Sequence, residues 1–227
     1  MTGKVWVLSQ LVGKSPLSNT SITAVFTSNG TVSGSAGCNR YNGTYQTSGN
    51  HITFPTPMAT TMMMCDPGVM AQENAYLQSL AQVKTFTISG EELTLLGDNR
   101  TPLTVYQAQS QDLSGTSWSV TAYNNGKQAV TSVINGTTLT ADFGKDGNLT
   151  GSSGCNTYQG SYKISGNQIS IGSLTSTMMA CNTPQGIMEQ ETQYLAALQS
   201  AVTYRVEGSS MELRTTEGAL AVNLLLK

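Results

Sequence analysis

The sequence predicts a mainly β (α+β) protein of two tandem domains, each carrying one α-helix. Three observations predict it: a long internal duplication, paired hairpin signals in each copy, and a helical stripe that interrupts the strand-like rhythm. Gly37-Cys38-Asn39-Arg40-Tyr41-Asn42-Gly43-Thr44-Tyr45 recurs as Gly154-Cys155-Asn156-Thr157-Tyr158-Gln159-Gly160-Ser161-Tyr162. Thr61-Met62-Met63-Met64-Cys65 is answered by Thr177-Met178-Met179-Ala180-Cys181, and Met70-Ala71-Gln72-Glu73 by Met188-Glu189-Gln190-Glu191. Trp6 and Trp118 open the two copies, and the polar stretch from Gln107 to Asp112 separates them. The copies are expected over 1–109 and 110–227, each long enough for its own core.

Within each copy the elements follow in order. Trp6-Val7-Leu8 starts a strand, and Ile22 to Phe26 alternates with period two. Asn29-Gly30 and Asp146-Gly147 then stand between apolar residues and predict two-residue type I′ hairpin turns. Ser48-Gly49-Asn50 and Ser165-Gly166-Asn167 mark a second turn in each copy. Ile187, Tyr194, Leu195, Leu198 and Val202 fall on one helical stripe, with Pro184 and Pro67 near the two helix starts. Three further strands follow each helix: Thr85–Ile88, Leu93–Leu96 and Leu103–Tyr106, then Thr203–Val206, Met211–Arg214 and Ala219–Leu225.

Composition narrows the function classes. Charged residues make up 11% of the 227, far below the roughly 25% of an average soluble protein. A net charge of -2 leaves no basic surface for phosphates, so nucleic acid is not an expected partner. No apolar run approaches the roughly 18 residues that a membrane-spanning helix needs. The single His argues against multi-His metal sites and His-based catalysis. Met1 to Trp6 has neither the basic start nor the apolar stretch of a signal peptide.

These motifs resemble the META domain family. The resemblance rests on Gly-Cys-Asn-Arg-Tyr-Asn-Gly-x-Tyr, on the Thr-x-Met-Met-x-Cys segment, on the helix with Glu73 and Tyr76-Leu77, and on the closing Gly90–Leu95 stretch. It covers nearly the whole chain in two copies. The second copy departs at Thr157, where the first has Arg40, and at Ala180, where the first has Met64. The resemblance implies small antiparallel β-barrel-like domains with one helix each, in a family of bacterial envelope or secreted proteins without established enzymatic activity. It also implies a disulfide in each copy, Cys38 with Cys65 and Cys155 with Cys181. That pairing keeps the two domains equivalent without crosslinking them, and an oxidising, extracytoplasmic compartment would preserve it. A redox or metal site is the alternative, although no Cys-x-x-Cys or neighbouring His accompanies the cysteines.

Other constellations have a structural and a functional reading. The Met clusters beside the cysteines are expected to fill irregular core gaps, with Cu(I) ligation by thioethers as the alternative. Asn39 and Asn156 are expected to satisfy backbone groups at a bend, and Arg40 is either solvated or paired with a carboxylate such as Glu73. Glu73 and Glu191 read as helix N-terminal charges or salt-bridge partners. One repeated acid per domain does not make the carboxylate pair of a glycosidase. Asp142, Asp146 and Asn148 are read as a hairpin turn rather than a calcium loop. His51, replaced by Gln168 in the second copy, is not expected to be catalytic. No catalytic residue, metal or cofactor is assigned. The expected partner is a protein or small ligand, for a binding or stress-tolerance role; the alternative is a secreted inhibitor of a protease or other hydrolase.

Overall fold

Strands in the first copy form where apolar residues alternate and end where Gly or Asn turns the chain. A computed structural model describes residues 1–18, 20–55 and 57–227, and the chain divides into two units, Met1–Ser110 and Gln111–Lys227. The first unit contains β1 (Val5–Leu11), β2 (Thr23–Phe26), β3 (Thr31–Ser35), β4 (Arg40–Thr44), β5 (Gln46–Ser48), β6 (His51–Thr53) and β7 (Ala59–Thr60). After them come α1 (Pro67–Ala81), β8 (Thr85–Ser89), β9 (Glu92–Leu96) and β10 (Pro102–Ala108). The second unit repeats the plan with β11 (Thr116–Asn124), β12 (Val130–Ser132), β13 (Thr140–Phe143), β14 (Asn148–Ser152), β15 (Thr157–Ser165), β16 (Gln168–Ile171) and β17 (Thr175–Ser176). There α2 (Ile187–Gln199), β18 (Thr203–Glu207), β19 (Ser210–Arg214) and β20 (Leu220–Leu226) complete it.

All pairings are antiparallel, and each sheet returns to its first strand. In the second unit β11 pairs with both β13 and β20, so the path β11-β13-β14-β15-β16-β18-β19-β20 closes. The first unit closes the same way, with β4 and β5 as one run interrupted at Tyr45, the counterpart of Tyr162 inside the unbroken β15. Closure removes most of the exposed sheet edge that would otherwise template association. The thinnest point is shared: β6 meets β8 through His51 and Thr85, and β16 meets β18 through Gln168 and Thr203.

Inward-facing residues build one core per unit. Trp6, Phe26, Tyr41, Tyr76 and Tyr106 are buried in the first, and Trp118, Phe143, Tyr158 and Tyr194 in the second. Each helix contributes a tyrosine and a leucine: Tyr76 and Leu80 from α1, Tyr194 and Leu198 from α2. Pro67 is the first residue of α1, and the Asp66 Oδ1 accepts the Gly68 N–H at 2.9 Å to cap it. The helical stripe expected in the second copy runs out early. α2 ends at Gln199, so Val202 lies in the connection to β18, 37% exposed.

The first hairpin turn also differs from expectation. Gly30 and Gly147 have φ of +83° and +81°, but neither Asn29 nor Asp146 has a positive φ, as type I′ requires. Instead Gly30 N–H donates to the Thr27 carbonyl and Thr27 N–H to the Thr31 carbonyl, with the same pair of bonds at Gly147 and Gly144. This is the three-residue loop in which a type I turn is followed by a left-handed glycine.

A second glycine pair marks close backbone approach. A Cβ on Gly34 would lie 2.0 Å from the Thr23 carbonyl oxygen, and one on Gly151 would lie 2.1 Å from that of Thr140. Because backbone must shift, Gly34→Ala or Gly151→Ala is expected to destabilise by roughly 3 kcal/mol or more. Gly166→Ala, with open space around its Cβ and φ +61°, should cost only about 1 kcal/mol. Urea unfolding of the three variants measures the contrast.

Candidate functional site

The repeated motif residues converge on one arrangement, built twice. Glu73 lies in the second turn of α1 and is buried under the turn between β3 and β4. Its Oε2 accepts the backbone N–H of Asn39 at 2.7 Å and of Cys38 at 3.3 Å, while Oε1 accepts Asn39 Nδ2 at 2.9 Å. Asn39 reaches onward to the loop before α1. Its Oδ1 accepts the Met63 N–H at 2.6 Å and the Thr61 hydroxyl at 2.8 Å, and its Nδ2 also donates to the Met63 carbonyl at 3.2 Å. The Cys38–Cys65 disulfide closes the same loop covalently.

In the second unit the same atoms do the same work. Glu191 Oε2 accepts Asn156 N–H at 3.0 Å and Oε1 accepts Asn156 Nδ2 at 3.1 Å. Asn156 Oδ1 accepts Met179 N–H at 2.8 Å and the Thr177 hydroxyl at 2.6 Å. Ser153, where the first copy has Ala36, adds a hydroxyl bond to Glu191 Oε2 at 2.7 Å. Cys155 and Cys181 close the loop.

Glu73 and Glu191 therefore act neither as helix N-terminal charges nor as surface ion-pair partners. α1 has no acid in its first turn, and the first-turn acid of α2 is Glu189, 3.3 Å from Lys127. A buried carboxylate is stabilised here by N–H donors aimed at both oxygens, which offsets its lost hydration. Arg40 is exposed at the start of β4, while the Glu73 carboxylate is occupied by Cys38 and Asn39.

The expectation that the methionines fill the core is overturned. Met62, Met64 and Met178 are 97%, 96% and 99% exposed, and Met63 and Met179 are more than half exposed. The reason is local: the chain has no regular structure between β7 and α1, so no alternation places any of these residues inward. His51 is exposed at the head of β6, as is Gln168 at the head of β16. Asp146 accepts Asn148 N–H at 3.1 Å and Asn148 Nδ2 at 2.6 Å within its hairpin, and Asp142 sits on β13 facing Lys227 at 3.4 Å.

Two features beyond the singled-out residues hold the site. Gln72 Oε1 accepts Leu17 N–H at 2.7 Å and its Nε2 donates to Thr20 Oγ1 at 2.8 Å. Gln190 does the same with Ile134 and Thr137. Beneath the loop, the Tyr41 and Tyr76 hydroxyls meet at 2.8 Å and Tyr106 donates to Tyr76 at 3.1 Å. Tyr158 and Tyr194 meet at 2.9 Å. Both pairs stood within the duplicated blocks, and their repetition was the available signal. Burial holds the Tyr76, Tyr158 and Tyr194 phenols above their ordinary range, with the neighbouring tyrosines adding for Tyr76, and pushes Tyr106 up to about 12.

Two disulfide-stapled β-barrel domains in tandem, each latched by a buried Asn–Glu pair, are the class of protein these features define. The META domain profile matches residues 1–110 and again 111–225, and the chain belongs to the META domain family. Three solved structures are similar in part. An NMR structure of a protein from Burkholderia xenovorans is 29% identical, covering 51% of this chain and 83% of its own, with a TM-score of 0.42. A second NMR structure is 24% identical over 47% of this chain and 90% of its own, with a TM-score of 0.39. The crystal structure of a DUF4847 family protein from Bacteroides vulgatus ATCC 8482 is 17% identical over 49% and 92%, with a TM-score of 0.36. Among curated proteins none matches the chain.

Asn39→Ala strips partners from the Met63 N–H, the Thr61 hydroxyl and one Glu73 oxygen, and is expected to destabilise by about 3 kcal/mol or more. Glu73→Gln should cost a comparable amount, because its new NH₂ faces only donors. Chemical denaturation of each variant provides the check. A second expectation concerns alkaline pH. The buried phenols ionise more readily once unfolded, at about pH 10, so the folded state binds more protons above that pH. Stability should be full below about pH 10 and fall as pH rises toward 12. Urea midpoints across that range, read beside phenolate absorbance, test it.

Proposed function

We propose that this chain is a non-enzymatic, extracytoplasmic binding protein, a two-domain scaffold serving stress tolerance of the cell envelope. The observation that carries this reading is the use to which the repeated residues are put. Asn39, Glu73, Thr61 and the two cysteines, with their second-copy equivalents, are engaged in shaping the loop ahead of each helix. That loop lifts Met62, Met64 and Met178 almost wholly into solvent. Thioether side chains adapt to irregular apolar surfaces, and apolar groups displayed in the same place in both copies fit contact with a protein partner. A disulfide in each domain supports an oxidising compartment.

A braced loop also favours a second reading, that of a secreted inhibitor of a protease or other hydrolase. A loop held by backbone bonds and a disulfide loses little entropy on binding, and two copies add avidity.

The first experiment is peptide mapping of the unreduced protein from its native source, with free thiols alkylated at lysis. Linked Cys38–Cys65 and Cys155–Cys181 peptides are the expected result, and four free thiols would overturn the compartment. Reproducible turnover abolished by changing one acid or His51 would overturn the non-enzymatic reading. Inhibition of an enzyme in a panel of proteases and lysozymes at micromolar protein would move the inhibitor reading to the front.

A further inference from the structure

The two copies share their latch but differ on the outer face of the strands beside it. In the second unit the ladder aligns Asp142 with Thr150, Thr150 with Gln159, and Gln159 with Thr175, one residue from each of β13, β14, β15 and β17. Beside this row Ser152 pairs with Thr157. These side chains line a groove of about 650 Å³. It continues into hollows of about 360 and 390 Å³ that both include Thr150. The polar groups of the main groove are hydroxyls and an amide with one carboxylate, Asp142, and Asp146 borders the hollow of about 390 Å³.

The same register in the first unit aligns Val25, Ser33, Asn42 and Ala59, with Arg40 opposite Ser35. Ser33 and Asn42 keep their chemistry as Thr150 and Gln159, and three exchanges change it: Val25 to Asp142, Ala59 to Thr175 and Arg40 to Thr157. The first two make the second face more polar, and the third removes a cation from it. The central latch and helix-core residues are kept, since Tyr41, Tyr76, Asn39 and Glu73 recur as Tyr158, Tyr194, Asn156 and Glu191.

We propose that this groove of the second domain binds a linear, uncharged saccharide. The chemistry of the lining selects the class. A sugar hydroxyl both donates and accepts, so it is matched by hydroxyl and amide groups, which do the same. The Asp142 carboxylate has acceptor sites left after its 3.4 Å contact with Lys227, enough for a pair of neighbouring sugar hydroxyls. A carboxylate without a cluster of cations disfavours phosphates and other anions. Spacing selects a linear chain: residues aligned across adjacent strands recur at about 4.8 Å, close to the length of a pyranose ring. Thr150 and Gln159 project outward from β14 and β15, exposed and ready to meet ligand without rearrangement.

The inference rests on reading the chain as a binding protein, and its test is separate from the test of compartment. Uniformly ¹⁵N-labelled full-length protein with both disulfides intact is titrated with cellotetraose, chitotetraose and maltotetraose. Saturable shifts of the Thr150, Gln159 and Thr175 amides with at least one of them, at a Kd of about 1 mM or tighter, are expected. Gln159→Ala and Asp142→Asn, both on the outer face, should weaken binding at least tenfold while leaving the amide spectrum of the core unchanged. No saturable shift with any of the three sugars overturns the proposal. So does binding that maps to the Val25–Ala59 face, or that both variants leave intact. Absence of sugar binding by the unaltered protein with both disulfides intact removes the groove and leaves the extracytoplasmic reading standing.

Discussion

A carboxylate buried beneath a backbone turn is the constraint around which each domain is arranged. Glu73 can remain under the Cys38–Asn39 turn because N–H groups point at both of its oxygens. An unpartnered buried charge would cost far more than a single hydrogen bond contributes. Those donors exist only if the turn keeps its shape. The turn keeps its shape because Asn39 is bonded to Met63 and Thr61 on the other side. Helix, barrel and loop are thereby made mutually dependent, and the disulfide ties the barrel turn to the loop covalently. The tyrosine cluster underneath extends this dependence into the core, since Tyr76 comes from the helix while Tyr41 and Tyr106 come from the barrel.

Duplication tests which features the fold needs. The Asn–Glu contacts of the latch recur in both copies, with the Cys38 N–H as a further donor in the first and the Ser153 hydroxyl in the second. Aromatic filling is less strict: Tyr106 aligns opposite Leu8, whereas the matching pair in the second copy is Leu224 and Val120. There Tyr123 packs against Tyr194 at 6.3 Å, so ring volume is supplied from a different strand of the same wall. A core accepts such exchanges when volume is preserved. Outer-face positions answer to neither constraint, and it is there that the two domains differ in chemistry.

Reading residues in order went furthest where local rules govern. The hairpin positions, Pro67 at the first helical residue, and the strands after each helix followed from turn chemistry and periodicity. A segment without periodic structure carries no local signal of which side chains are buried. The methionines look like core by hydropathy, yet Met62 to Met64 occupy an irregular loop whose side chains face water. Glu73 reads as a helix N-terminal charge or salt-bridge partner because nothing adjacent in sequence marks a carboxylate that caps a turn 34 residues away. The Asn29-Gly30 dipeptide fixes the position of the turn but not its class, which depends on one φ angle that an Asn can take with either sign.

By itself the sequence determined the duplication, the mainly β character, the single helix per copy and the family. These are set by repetition and by short-range periodicity, both visible along one dimension. Tertiary structure decided which polar groups are buried together, which thioethers meet solvent, and which side chains share a sheet face. Those outcomes depend on strand register and loop path, where contacts join residues far apart in the chain. Asp142, Thr150, Gln159 and Thr175 carry no shared signature in the sequence. They become neighbours only when four antiparallel strands align them.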